Sequence, residues 1–206
     1  MMVPHFNRRD LEVLGIFIQM ILCSAYKISK ITNIPPASIW RILVRFSALG
    51  LIIKEERGFK VTPRGLVIAY LLIDKDYIRD KVAERLKEEW KYKGDKEELK
   101  GFLNSLQAFL EKNNISPFSL CYSEPLHLAI LMNMTNCDDE NINKVLGRSL
   151  LEWFPTVTTS NGCKAILSYN SEGEVYGLAV DCKISGIKVF HKCPLLDEEV
   201  KRLNAR

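Results

Sequence analysis

Nothing in the 206 residues approaches the roughly 18 consecutive apolar residues of a membrane-crossing helix, and the stretch at residues 14–22 is far too short. Arg8, Arg9 and Asp10 lead into that stretch, and no small-residue cleavage site follows it. No secretory signal is read, and the expected location is cytoplasmic, with no membrane partner. There is no Gly-rich phosphate loop, no G-x-S-x-G and no H-E-x-x-H. Histidine is scarce, and His5, His127 and His191 are scattered. His127, on an apolar helix, reads as a satisfied core histidine. A Cys163/His191 nucleophile and base rests on residue type alone. The expectation is a protein that is not an enzyme and needs no cofactor.

The cysteines lack metal spacing. Cys23, Cys121, Cys137, Cys163, Cys182 and Cys193 include no C-x-x-C pair. In a reducing compartment they read as buried or free thiols, and no metal is expected. Two alternatives stay open. Cys163, Cys182, His191 and Cys193 could gather at one end of a small sheet around zinc, at spacings that match no standard module. A disulfide is the other. Abundant Lys, Glu and Ile with two Gln suggest a hyperthermophile, where intracellular disulfides occur, while twelve Asn argue against it.

What is present is an uneven charge. The formal net charge is +4, but residues 1–75 hold 11 Lys+Arg against 5 Asp+Glu, a net of +6. Residues 76–206 hold 18 against 20, a net of −2. That favours an anionic partner for the N-terminal third.

That third is also the most patterned. Asn7 is placed to cap a helix, with Asp10 in the reciprocal capping-box position. Leu11, Leu14, Phe17, Ile18, Ile21 and Leu22 form its apolar side, and Ser24 breaks it. A short helix at residues 25–32 follows, with Ile28 and Ile31 inward and Lys27 and Lys30 outward. Asn33-Ile34-Pro35 turns the chain, because residues before proline leave the helical region. In PPASIWRILVRFSALGLI, from Pro35 to Ile52, Pro36 suits a first helical turn. Ile39, Ile42, Leu43 and Phe46 define the buried face. Ala37, Arg41, Val44, Arg45 and Ala48 define the opposite one. Gly50 ends the helix as a left-handed cap. Residues 51–62 read as strand, tight turn at Gly58, and strand. Thr62-Pro63 then starts a new helix.

The string LGLIIKEERGFKVTPRG resembles the helix end, wing and following helix of winged helix-turn-helix transcription regulators, the MarR-like and PadR-like families and their archaeal relatives. The resemblance covers the first third and is specific for a fold. It implies that the helix at Pro36 lies in the major groove of double-stranded DNA, with Arg41 and Arg45 on phosphate or guanine and the wing on backbone or minor groove. Lys27, Lys30, Ser38, Lys54, Arg57 and Lys60 complete the expected DNA-binding set. Glu55 and Glu56 near the wing tip oppose it. Trp40 is expected to pack against the first helix.

The helix after the wing, with Leu66, Val67, Ile68, Ala69, Leu71, Leu72 and Ile73, is apolar nearly all round and needs a second domain or subunit to bury it. A helical hairpin follows. Ile78, Val82, Leu86 and Trp90 form one stripe; Lys93-Gly94-Asp95 is the turn; Leu99, Phe102, Leu103, Leu106, Phe109 and Leu110 form the other. Residues 115–206 read as helices after Pro125 and after Asp138-Asp139-Glu140, three strands within residues 163–193, and a closing helix at 195–203. The expected fold class is α+β: a winged helix-turn-helix domain at 1–75, a helical connector or dimerisation arm at 76–114, and an α+β domain with a three-stranded antiparallel sheet at 115–206. That last domain would sense an unknown effector or serve assembly.

The expected function is that of a sequence-specific DNA-binding transcription regulator acting as a homodimer. The rival is a winged-helix protein-interaction adaptor of the transcription or replication machinery. A small enzyme with an N-terminal winged helix, such as a methyltransferase, is disfavoured by the short remainder and the missing cofactor loop.

Overall fold

The computed structural model describes residues 6–121, 123–134, 139–160, 162–169, 171–173, 175–182, 186–190 and 194–205. The fold is α+β and mostly helical. The chain divides into two compact units, Met1–Glu124 and Pro125–Arg206.

The first unit opens with α1 (Arg8–Gln19). The Asn7 side chain accepts from the N–H groups of Arg9 (2.9 Å) and Asp10 (3.1 Å), and Asp10 accepts from the Asn7 N–H (2.8 Å). This is the expected capping box, satisfying donors that a helix start leaves open. Val13, Leu14, Phe17 and Ile18 are buried. Met20 is extended, so the helix stops short of Ile21 and Leu22. Ile21 is 74% exposed and belongs to no buried face, contrary to the apolar stripe expected there.

Ser24 caps α2 (Ala25–Thr32), and Asn33 ends it in the left-handed region at φ 53°. Ile28 is buried, but Ile31 is 48% exposed. Three positions on, a helical side chain is rotated about 60° off the buried line, which places Ile31 outward, opposite to expectation. After the turn comes α3 (Pro36–Ala48), whose Ile39, Ile42, Leu43 and Phe46 are all buried. Gly50 follows at φ 68°.

Strands β1 (Ile52–Glu55) and β2 (Gly58–Val61) pair antiparallel, Ile52 opposite Val61 and Glu55 opposite Gly58. Cys23 adds an isolated bridge to Phe59 on the far side of β2. Gly58 has φ 155°, and a Cβ there would lie 2.7 Å from the Cys23 carbonyl oxygen. The tight turn and the close Cys23 backbone therefore both require glycine. Thr62 caps α4 (Pro63–Leu72) through the Gly65 N–H (3.0 Å), and its hydroxyl donates to the Gly50 carbonyl (2.7 Å). A Cβ on Gly65 would collide with the Leu51 carbonyl, so α4 starts directly on the α3–β1 junction.

Helices α5 (Asp76–Glu89) and α6 (Lys96–Lys112) complete the helical part. Ile78, Val82, Leu86 and Trp90 are buried, as are Leu99, Phe102, Leu103, Leu106 and Leu110. α4 is buried from Gly65 to Tyr70 and packs on α1, α5 and α6. The apolar surface behind the expectation of a dimer is thus covered within one chain. The helical pair shares a unit with the preceding helices, and the division falls at Glu124–Pro125.

Two arginine connections, one half-buried and one buried, tie this unit together. Arg64 donates to the Leu49 (3.1 Å), Phe118 (2.8 Å) and Leu120 carbonyls, fastening the 3-10 turn Pro117–Ser119 to the end of α3. Arg85 on α5 donates to the carbonyls of Phe17, Ile18 (3.2 Å) and Met20 (3.4 Å), the groups that the end of α1 leaves open. Burial holds the Arg85 guanidinium below its ordinary pKa, partly offset by Glu89 and Glu88.

The second unit holds α7 (Pro125–Asn133), α8 (Glu140–Trp153) and α9 (Pro194–Asn204) with an antiparallel sheet ordered β3 (Val157–Thr158), β4 (Lys164–Tyr169), β5 (Val175–Cys182), β6 (Gly186–Phe190). The three longer strands are those expected, and β3 is a short addition. α8 lies against β5 and β6, and α9 against β5. Leu128, Met132, Ile142, Val145 and Leu146 fill the interior between helices, and Ala165 packs with Leu196, Leu167 and Val200. Asp139 caps α8 by accepting from the Ile142 N–H (3.0 Å), and Glu140 pairs with Lys144 (2.8 Å). Among the described residues no helix is long and apolar enough to cross a membrane.

Arg85→Leu should lower stability by about 2–3 kcal/mol, because the Phe17 and Ile18 carbonyls lose their donor in a buried setting and the Met20 carbonyl loses it in a half-buried one. Urea denaturation followed by circular dichroism measures this, and an unchanged midpoint would show that those carbonyls find other partners.

Candidate functional site

The solvent face of α3 is the most distinctive surface of the first unit. Ala37, Trp40, Arg41, Val44 and Ala48 are exposed along it. Arg41 makes no ion pair or side-chain hydrogen bond with any described residue. Its neighbour one turn on is differently placed. Arg45 donates through Nη2 to Asp10 Oδ1, and the Asp10 side chain is fully buried. The Arg45 guanidinium also lies 5.6 Å from the centre of the Phe6 ring. Phe6 in turn stacks on Phe46 (5.2 Å) and tilts against Phe118 (4.8 Å). Arg45 is therefore held at the flank of α3 by a buried carboxylate and an aromatic face. The two arginines, expected to act alike, stand in different circumstances.

The other expected cations separate in the same way. Lys27 and Lys30 are exposed on α2, with Lys30 5.5 Å from the Tyr26 ring centre. Lys27 partly offsets the upward push that burial gives the Cys23 thiol. Lys54 on β1 and Arg57 in the turn are exposed and have no partner among the described residues. Lys60 is engaged, 2.8 Å from Glu89 on α5. Glu55 and Glu56 are exposed beside Lys54 and Arg57. Trp40 lies beside β2 of the hairpin. It is 52% exposed and meets Phe59 of β2 edge-on, with ring centres 6.2 Å apart.

A cleft of about 220 Å³ opens between the start of α1 and the flank of α3, lined by Asn7, Arg9, Asp10, Ser38, Arg41, Ile42 and Arg45. It brings together Ser38, Arg41 and Arg45 of the expected set. It also adds Arg9, which sequence reasoning passed over. The sequence shows only that Arg9 lies two residues after the Asn7 cap, at the same helix end as Asp10. Nothing in the sequence pairs that end with α3.

Comparison with protein-family models, with curated proteins and with solved structures finds no match.

Elsewhere the expected chemistry is sparse. His127 is exposed on α7, not in the core where its apolar surroundings in sequence suggested; Leu128 and Ala129 take the inward positions. Cys23 and Cys163 are buried and Cys121 is exposed, all as thiols. Among the described residues no three of His, Cys, Asp and Glu come together to hold a metal. His5, Cys137, Asp138, His191 and Cys193 lie outside the described residues.

A double-mutant cycle on Asp10 and Arg45 should give a coupling energy of about 1–3 kcal/mol, since one partner is wholly buried. The half-exposed Lys60–Glu89 pair should give less than about 1 kcal/mol. Thermal or urea unfolding of the single and double alanine variants measures both, and equal couplings would deny Arg45 a structural role.

Proposed function

We propose that this chain is a DNA-binding transcription regulator in which α1–α4 and the β1–β2 hairpin act as a winged helix-turn-helix. In this reading α2, the Asn33–Pro35 turn and α3 form the helix-turn-helix, and the hairpin, flanked by the Cys23 bridge, is the wing. α3 enters the major groove. Arg41, exposed on the outer face and without a partner among the described residues, is the observation that carries the reading. A guanidinium so placed can contact guanine or phosphate in a bidentate way. Lys27, Lys30, Lys54 and Arg57 supply attraction independent of sequence. Arg45 serves chiefly to fix α3 on α1, and Lys60 to anchor the wing to α5.

The reading does not rest on a second copy, because the stripes that suggested one are buried inside the first unit. The second unit is assigned an assembly or sensing role. Its support is exposed apolar surface, with Met134 on the loop after α7 and Trp153 at the end of α8 both largely in solvent.

A protein-binding adaptor is the competing reading. Trp40 and Val44 expose apolar surface on α3 beside Arg41, Ile53 exposes more on β1, and Glu55 and Glu56 occupy the wing tip.

Fluorescence anisotropy with labelled duplex DNA separates the two. Wild-type protein should bind with an affinity that falls steeply as salt rises. Arg41→Ala should cost about 1–3 kcal/mol of binding with the circular dichroism spectrum unchanged. Absence of salt-dependent DNA binding by the wild type would overturn the proposal in favour of the adaptor.

A further inference from the structure

We infer that the cleft between the start of α1 and the flank of α3 seats one phosphate of the nucleic-acid backbone, clamped by Arg9 and Arg41 with Ser38 beside them. The inference rests on the DNA-binding reading and names the contact that sets the register of α3.

The cleft is small. At about 220 Å³ it falls below the roughly 300–1,000 Å³ of pockets that take organic ligands, and it suits a single compact group. Its lining is strongly biased. Arg9, Arg41 and Arg45 contribute three positive charges and Asp10 one negative, leaving +2. The single carboxylate is already engaged. Asp10 Oδ2 accepts the Asn7 N–H, Oδ1 accepts Arg45, and the side chain has no exposed surface. An incoming anion therefore meets two guanidinium groups that have no acceptor among the described residues, and a carboxylate that is already neutralised.

The walls are also fixed in advance. The capping box sets the backbone at Asn7–Asp10, and Arg45 is held by Asp10 and by the Phe6 ring. Arg45 Nε is shielded from solvent and has no hydrogen-bond partner among the described residues. Arginine pairs present planar donor forks that match phosphate oxygens. Arg41 belongs both to this cleft and to the outer face of α3. A phosphate held here would place that face at a defined depth and angle against the bases, which is how backbone contacts position a reading element.

Arg8 provides the control. It is adjacent in sequence but lines a different hollow, with Leu11, Glu12, Leu72, Ile73, Asp74 and Lys75. The experiment uses the full chain and one short labelled duplex, titrated at several potassium chloride concentrations. Arg9→Ala should raise Kd roughly 3–10-fold at low salt and reduce the log–log salt slope by about 0.9, the loss of one phosphate contact. Arg8→Ala should leave the slope unchanged. If wild-type protein binds DNA and Arg9→Ala leaves both Kd and slope unchanged, the cleft assignment fails and the DNA-binding reading stands. If Arg8→Ala flattens the slope equally, the effect is diffuse charge and the cleft assignment again fails. If wild-type protein does not bind DNA, both readings fall together.

Discussion

The Asp10 carboxylate is the point on which the first unit turns. A fully buried carboxylate is tolerated only when its charge is answered, and here both oxygens are. One closes the cap of α1, and the other takes Arg45 from α3. The same group thus ends a local problem, the open donors of a helix start, and a global one, the placement of α3 against α1. Phe6 adds an aromatic face over the Arg45 guanidinium, and Phe46 and Phe118 back that ring. The outer face of α3 is consequently presented by a rigid support, with Arg41 the one arginine of α3 left to solvent.

Much of the first unit was legible because its determinants act over three or four residues. The Asn7 cap, the first-turn prolines Pro36 and Pro63, the Thr62 cap and the turn glycine Gly58 each announce an element through chemistry contained in one turn of chain. The stripes of α3, α5 and α6 were legible for a related reason, since burial repeats with the helical period. Two apolar residues misled. Ile21 follows the end of α1, and Ile31 sits off the buried line of α2, so composition named them core while geometry put them in solvent.

The candidate site was legible only in its inventory. Spacing put Arg41 and Arg45 on one side of a helix, but the carboxylate that claims Arg45 lies 35 positions earlier. Lys60 and Glu89 meet across a similar distance in sequence, and no local pattern marks either pair. Arg9 was hidden in the same manner, because its partners in the cleft come from a helix that begins far along the chain. Ion pairs of this kind are products of tertiary packing, and they sort the cations into supports and free charges after the sequence has listed them as equals. The same applies to α4. Its all-round apolar surface correctly signalled burial, but the covering helices were its own successors α5 and α6 rather than another molecule.

The Arg85 connection bears on where this chain can be divided. The guanidinium that closes the end of α1 comes from α5, and the 3-10 turn beyond α6 is fastened back to α3 by Arg64. A piece cut after α4 would keep every residue of α3 and the hairpin, yet leave the carbonyls of Phe17, Ile18 and Met20 without their donor and the side of α4 bare to water. The contacts that brace α3 in its present posture therefore run through Leu120, well past the helices that touch α3 directly. Autonomy here belongs to a closed circuit of helices, not to the motif that the circuit displays.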